Sequence, residues 1–234
     1  MQSLTPLNDN LSLDRLAYEK IKEAILNFHF LPNQALVESE LATQLGISKT
    51  PVRDALMRLE KENLVSRIPY KGTYVSDISN QEMVNIFQIR IELEGLAIQL
   101  ATPNLQEEDF VQMEKLVEAH AAALAKRNIP LVSQINSQFH NTIIQRCSNP
   151  MLIDLLLYLD DHLKRYRLLS ISQGFRLDKS VPEHSLIINA LRNRDAEKAE
   201  EAIRTHLANA MHDLYNQNFT ELVEQLHEQT TNPV

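Results

Sequence analysis

A mainly α-helical chain in two parts, with one short β-hairpin near residue 70, is predicted by three observations. Glycine occurs only four times in 234 residues and tryptophan not at all, while Leu, Ala, Glu and Gln, all good helix formers, are plentiful. Apolar residues recur at three- and four-residue spacing along most of the chain. Strand-like alternation is confined to Leu64–Ile68 and Thr73–Ser76, on either side of Pro69-Tyr70-Lys71-Gly72.

The elements follow in order. Residues 13–28 place Leu13, Leu16, Ala17, Ile21, Ala24, Ile25 and Phe28 on one helical face, and Leu31-Pro32-Asn33 breaks the helix. Residues 38–45 form a short helix with Leu41, Ala42 and Leu45 inward. Gly46 ends it where a left-handed residue is wanted. Ser48 is placed to cap a third helix that runs to about Asn63. Pro51 is tolerated in its first turn, and Val52, Ala55, Leu56 and Leu59 face inward. The hairpin follows, the only β signal in the chain. Beyond Asp77, six helices are expected near 79–101, 106–127, 130–147, 150–171, 182–193 and 195–227. The breaks are at Pro103, Asn128–Pro130, Asn149-Pro150, Gly174 and Asn193–Asp195. Short connections between such helices imply an antiparallel bundle. The division expected is 1–77 and 78–234, with the last residues, TTNPV, frayed.

The net charge of −8 argues against a nucleic-acid partner until it is divided. Residues 1–76 carry nine Lys/Arg and nine Asp/Glu, so the whole −8 lies in residues 77–234. A neutral segment can bind phosphates if its cations share a face. The four glycines are too scattered for a phosphate-cradling loop. The single cysteine, Cys147, excludes an internal disulfide and is read as an ordinary, partly buried thiol. No apolar run is long enough to cross a bilayer, and Met1–Asn10 lacks the order of a signal peptide, so a cytoplasmic location and no membrane partner are expected.

Helix, helix, tight turn, helix and hairpin is the order of a winged helix-turn-helix. The third helix of that motif presents the polar residues of its first turn to base edges in the major groove. Ser48, Lys49, Thr50 and Arg53 occupy that turn, the helix N-terminus favours phosphate, and Lys71 and Gly72 form the hairpin tip. The stretch LATQLGISKTPVRDALMRLEKENLV followed by PYKGTYV resembles the N-terminal domain of the GntR family. That resemblance implies that Lys49, Thr50 and Arg53 contact bases or phosphates and that Lys71 and Gly72 belong to the wing. Lys49 stands where arginine is common and lacks its bidentate geometry toward guanine. Ser39 stands where some members carry an arginine that contacts DNA.

Eight histidines occur. Asn136 and His140 are four residues apart on one helix, His184 opens a later helix and His206 lies on the last. Helices of a bundle can bring such residues together around a metal, although a lone helical histidine is usually a surface or satisfied core residue. His29, His120, His162, His212 and His227 are read that way. RIELEGLAIQLA, NSQFH and EHSLIINALRNRDAEKAEEAIRTHL resemble the FCD effector domain of the FadR-type subgroup of GntR regulators. The resemblance covers about residues 79–210. It implies that Asn136, His140, His184 and His206 hold one divalent metal, zinc or nickel, beside a small carboxylate effector. Asn136 replaces the more frequent aspartate and offers only a neutral carbonyl oxygen. Arg90 has two readings: an i,i+4 ion pair with Glu94, or the anchor of the effector's carboxylate. Arg167 and Arg165 are further anchors on the same reasoning.

The expected function is a ligand-responsive DNA-binding regulator, a repressor, acting as a two-fold homodimer on an inverted-repeat operator. The dimer face is expected on the apolar sides of the helices near 79–127. Two rivals were weighed. A metal-dependent hydrolase or lyase would need a general base, for which Glu183 beside His184 is the nearest acid. A purely architectural DNA-binding protein would leave the polar interior of the bundle idle.

Overall fold

Ser12 opens the first helix with extended backbone, and helical spacing carries α1 over Leu13–Leu26. A computed structural model describes residues 12–172 and 179–231, so the break expected at Gly174 and the final Asn232–Val234 lie outside the described residues. By internal contacts the chain divides into two units between Asp77 and Ile78.

In the first unit α1, α2 (Glu38–Leu45) and α3 (Lys49–Lys61) pack around Ile21, Ile25, Val52, Leu56 and Leu59, all buried. Leu13 and Leu16, expected inside, are exposed, because the first turn of α1 projects past its neighbours. Tyr18 takes over the role of tying α1 to α3. Its hydroxyl donates to the Glu62 carboxylate at 2.8 Å, and the Arg58 guanidinium lies 3.7 Å from its ring centre. Gly46 has φ 67°, the left-handed value its position calls for. Ser48 occupies the N-cap position of α3, but its hydroxyl makes no capping bond.

The hairpin is β2 (Val65–Ile68) and β3 (Gly72–Val75). A third strand, β1 (Ala35–Leu36), adds to the other edge of β3 with Ala35 opposite Tyr74 and Leu36 opposite Thr73. Two residues cannot show a period of two, so this strand left no pattern in the sequence. Gly72, at φ 118°, adopts a backbone that other residues rarely reach, and Tyr70 beside it is fully exposed at the tip.

The second unit contains α4 (Asn80–Ala101), α5 (Glu107–Ala125), α6 (Ile129–Ile144), α7 (Pro150–Ser172), α8 (Ser180–Arg192), α9 (Ala196–Tyr215) and α10 (Phe219–Thr231). Helix α4 packs against α9, α7 and α6, while α5 packs against α6 and α8. The starts are set by local chemistry. Ser79 accepts from the Glu82 amide, Asn128 from that of Leu131 and Asp195 from that of Lys198. Gln106 and Asp109 form a capping box. Cys147 is buried.

One long final helix was expected, and two are found. The Asn80 side-chain amide donates to the carbonyls of Tyr215 and Gln217, at 3.1 and 2.8 Å. The buried Gln217 side chain donates to the Ser170 hydroxyl at 2.8 Å. These bonds draw the backbone out of the helical ladder at 216–218, and Asn218 then caps α10 through the Glu221 amide.

Candidate functional site

One cavity of the second unit is lined from six helices, with Ser180 at the start of α8 among its residues. Phe87 and Arg90 come from α4, and His120 and Leu124 from α5. Val132, Asn136 and His140 come from α6, Leu163, Arg167 and Ser170 from α7, and His206 and Leu207 from α9. Its volume is about 80 Å³.

Three of the four metal ligands expected from the sequence converge here. His140, His184 and His206 come from α6, α8 and α9. All are buried, and each offers a ring nitrogen within 4.8 Å of the others. His184 stacks on Phe139 with ring centres 4.0 Å apart, which fixes its plane. Asn136, one helical turn before His140, is half-buried on the cavity wall.

Two of the rings are oriented by carboxylates. His140 Nδ1 lies 2.7 Å from Glu94 Oε2, and His206 Nδ1 lies 2.8 Å from Glu183 Oε2. An ionised carboxylate can only accept, so each ring directs a protonated Nδ1 at its carboxylate. Burial alone would raise the Glu94 pKa, but the charge of Arg90 and the contact with His140 outweigh it and hold Glu94 well below the usual carboxylate range. Carboxylate–imidazole pairs of this kind fix the tautomer that a metal requires. The donor set, three neutral imidazoles with an amide oxygen nearby, fits a borderline divalent ion. Glu183 also accepts from the Asn209 amide at 2.8 Å, so the acid considered as a general base already has both oxygens engaged.

The ion-pair reading of Arg90 is the one the structure forms. Arg90 is almost fully buried, donates from Nε to Glu94 and places Nη1 2.8 Å from Asp160. Burial opposes its charge, yet the two carboxylates raise its pKa further above the ordinary value. Arg90 also lines the cavity, and with carboxylates on Nε and Nη1 an anchoring role toward an effector would fall to Nη2. Arg167 shares Asp160 through Nη1 at 2.9 Å and donates from Nη2 to Ser137 at 2.8 Å. Its Nε is buried without a hydrogen-bond partner among the described residues. Arg165 is buried but does not line the cavity.

Four residues here were passed over in the sequence reading. Asp160 gave no signal, and Glu94 was read only as a partner of Arg90. Glu183 had the one available cue, its place beside His184. His120, read as an ordinary histidine, is buried on the cavity wall with its ring centre 5.5 Å from that of His184. Burial lowers its pKa to about 4, so the ring is neutral. Its Nδ1 has no hydrogen-bond partner among the described residues. An unmet buried polar atom costs roughly 1–3 kcal/mol.

In the first unit Ser48, Lys49, Thr50 and Arg53 are all exposed along the start of α3, and Lys71 and Gly72 are exposed at the hairpin tip. Arg53 donates from Nε and Nη2 to Glu38, the shortest contact being 2.9 Å. Glu38 therefore steadies the guanidinium through Nε and Nη2.

Residues 13–75 match the gntR family of bacterial regulatory proteins, and residues 85–209 match the FCD domain. The chain belongs to the GntR family, with a C-terminal FCD domain. This GntR regulator is 28% identical over 188 residues to the HTH-type transcriptional regulator McbR of Escherichia coli (strain K12), covering 80% of this chain and 85% of McbR. It is 24% identical over 203 residues to the transcriptional repressor RspR of the same organism, covering 87% and 89%. The solved structure of E. coli McbR/YncC superposes with a TM-score of 0.78 at 26% identity, covering 89% of this chain and 99% of that one. The winged N-terminal unit and helical C-terminal unit of the GntR regulator are thus those of a DNA-binding transcription regulator. Among the described residues no helix is long and apolar enough to cross a membrane.

Proposed function

We propose that this regulator's operator affinity is set by a small carboxylate bound in the FCD domain beside a divalent metal, zinc or nickel. Asn136, His140, His184 and His206 would hold the ion. The observation that carries the reading is the cluster of three buried imidazoles with ring nitrogens within 4.8 Å of one another, two of them oriented through Nδ1 by Glu94 and Glu183. When bound, the ion supplies a double positive charge with open positions for oxygen ligands. The surrounding charges cancel it only in part: Arg90 and Arg167 balance Glu94 and Asp160, and Glu183 sets one negative charge against the ion's two positive. An anionic effector is the natural complement, with Arg167 holding its distal oxygen. The likeness to RspR favours the repressor sense.

In the DNA unit, Arg53 is proposed to contact the operator, with Ser48, Lys49 and Thr50 beside it and Lys71 and Gly72 on the wing. Arg53→Ala is expected to weaken operator binding at least tenfold, since one such contact is worth ~1–3 kcal/mol. Fluorescence anisotropy at fixed salt checks this, because phosphate contacts make affinity steeply salt-dependent. Unchanged affinity would remove Arg53 from the interface.

The regulator is proposed to act as a homodimer on an inverted repeat. Ile89, Leu96 and Leu100, at 53, 43 and 38% exposure, form an apolar stripe along the outer face of α4. Leu96→Asp is expected to convert a dimer to a monomer in sedimentation at micromolar concentration. A monomeric native protein would sink the assignment.

A further inference from the structure

The cavity is small and unevenly furnished. At roughly 10–15 Å³ for each water-sized sphere, its 80 Å³ accommodates only about five to eight such spheres. Phe87, Leu124 and Val132 give it an apolar wall suited to a short carbon chain. His140, His206 and Arg167 occupy part of the polar lining. His120 stands apart from these, on α5, a helix that contributes none of the proposed metal ligands.

His120 is 2% exposed, and among the described residues its Nδ1 meets no hydrogen-bond partner. Nor do the described residues place a carboxylate in an ion pair with it, unlike His140 and His206. A neutral imidazole carries one donor and one acceptor. A carboxylate offers only acceptors and a methylene offers neither, whereas a hydroxyl is both donor and acceptor and matches either nitrogen of the ring. The unpartnered Nε of Arg167, on the same wall, is a donor only and suits an oxygen anion.

We propose that His120 is a specificity-determining residue of the effector cavity, selecting short hydroxycarboxylates over the same acids lacking the hydroxyl. This rests on the carboxylate-effector reading above and names the chemical group that this chain adds to it. A site that leaves a buried polar atom unmet by the wrong ligand discriminates strongly against that ligand.

The test is calorimetric titration of the metal-loaded full chain with two matched pairs, lactate against propionate and malate against succinate. At least a tenfold preference for the hydroxylated member of a pair is expected in the native protein. His120→Leu should reduce that preference to under threefold, with metal content and operator affinity unchanged, and His120→Gln should retain part of it. Equal binding of both members of each pair by the native protein overturns the inference while leaving the carboxylate reading intact. A full preference surviving in His120→Leu overturns it as well. Loss of metal in that variant makes His120 a ligand instead and also overturns it. If neither pair binds the native protein, the carboxylate reading falls and this inference with it.

Discussion

His184→Ala and His206→Ala are each expected to lower metal content from about one ion per chain to a small fraction and to abolish the response to effector, while the operator is still bound. The reasoning starts from coordination number. Removing one of three imidazoles leaves two nitrogen donors and a neutral amide oxygen, too few strong donors to hold the ion well. The winged unit has its own core, with Ile25, Val52, Leu56 and Leu59 all buried within it, so its recognition helix is undisturbed. Metal content by mass spectrometry and operator affinity by anisotropy read the two effects separately. Metal added to the native protein should also raise the melting temperature of the bundle, because a ligand that binds only the folded state stabilises it by mass action. Native metal content in both variants would remove these histidines from the site. Glu94→Gln and Glu183→Gln should weaken metal affinity by a smaller factor, about 10–100-fold, since they leave the ligands in place but release their orientation.

The second large effect is on stability. Arg90→Leu is expected to destabilise the bundle by about 3–5 kcal/mol, the usual consequence of removing one partner from a buried ionic network. Glu94 and Asp160 are both buried, and both are ionised because of the cations beside them. Without Arg90, Glu94 keeps the His140 ring as a hydrogen-bond partner and Asp160 keeps its ion pair with Arg167. The melting transition of the bundle should fall by roughly 10 °C, at about 2–4 °C per kcal/mol for a domain of this size. Circular dichroism in the α-helical band measures it. Arg90→Lys should fall between the two, since it keeps the charge but loses the planar fork that reaches both carboxylates. A melting temperature within 2 °C of the native value in Arg90→Leu would show that the network contributes little.

The elements set by local pattern were legible in the sequence. Helical spacing marked α1 to α8 and the start of α9 to within a few residues, and Gly46 and Gly72 marked turns that need a left-handed or otherwise rare backbone. What escaped depended on contacts distant in sequence. The end of α9 is set by Asn80, more than 130 residues away, so residues 195–227 read as one helix although the chain turns at 216–218. Strand β1 exists only because β3 offers it an edge. In the site, the histidine positions could be read because they resemble a family pattern. The carboxylates that orient them could not, because a helical Glu at 94 or 183 looks like solvated surface until a facing helix brings an imidazole to it. The ion pair of Arg90 with Glu94 lies within one helix and is local, whereas its second carboxylate, Asp160, is 70 residues on and left no mark near Arg90 in the sequence.

The account's central claim is that effector and DNA communicate through the histidine-held metal. Reciprocal coupling between two sites requires that each ligand change the other's affinity by the same factor. The most direct measurement is operator affinity by anisotropy, at fixed salt, for zinc-loaded and chelator-stripped protein, each with and without saturating malate. The account predicts that malate weakens operator binding at least fivefold in the zinc-loaded protein and leaves the stripped protein unchanged. An equal response in both forms, or none in the zinc-loaded form, would contradict it.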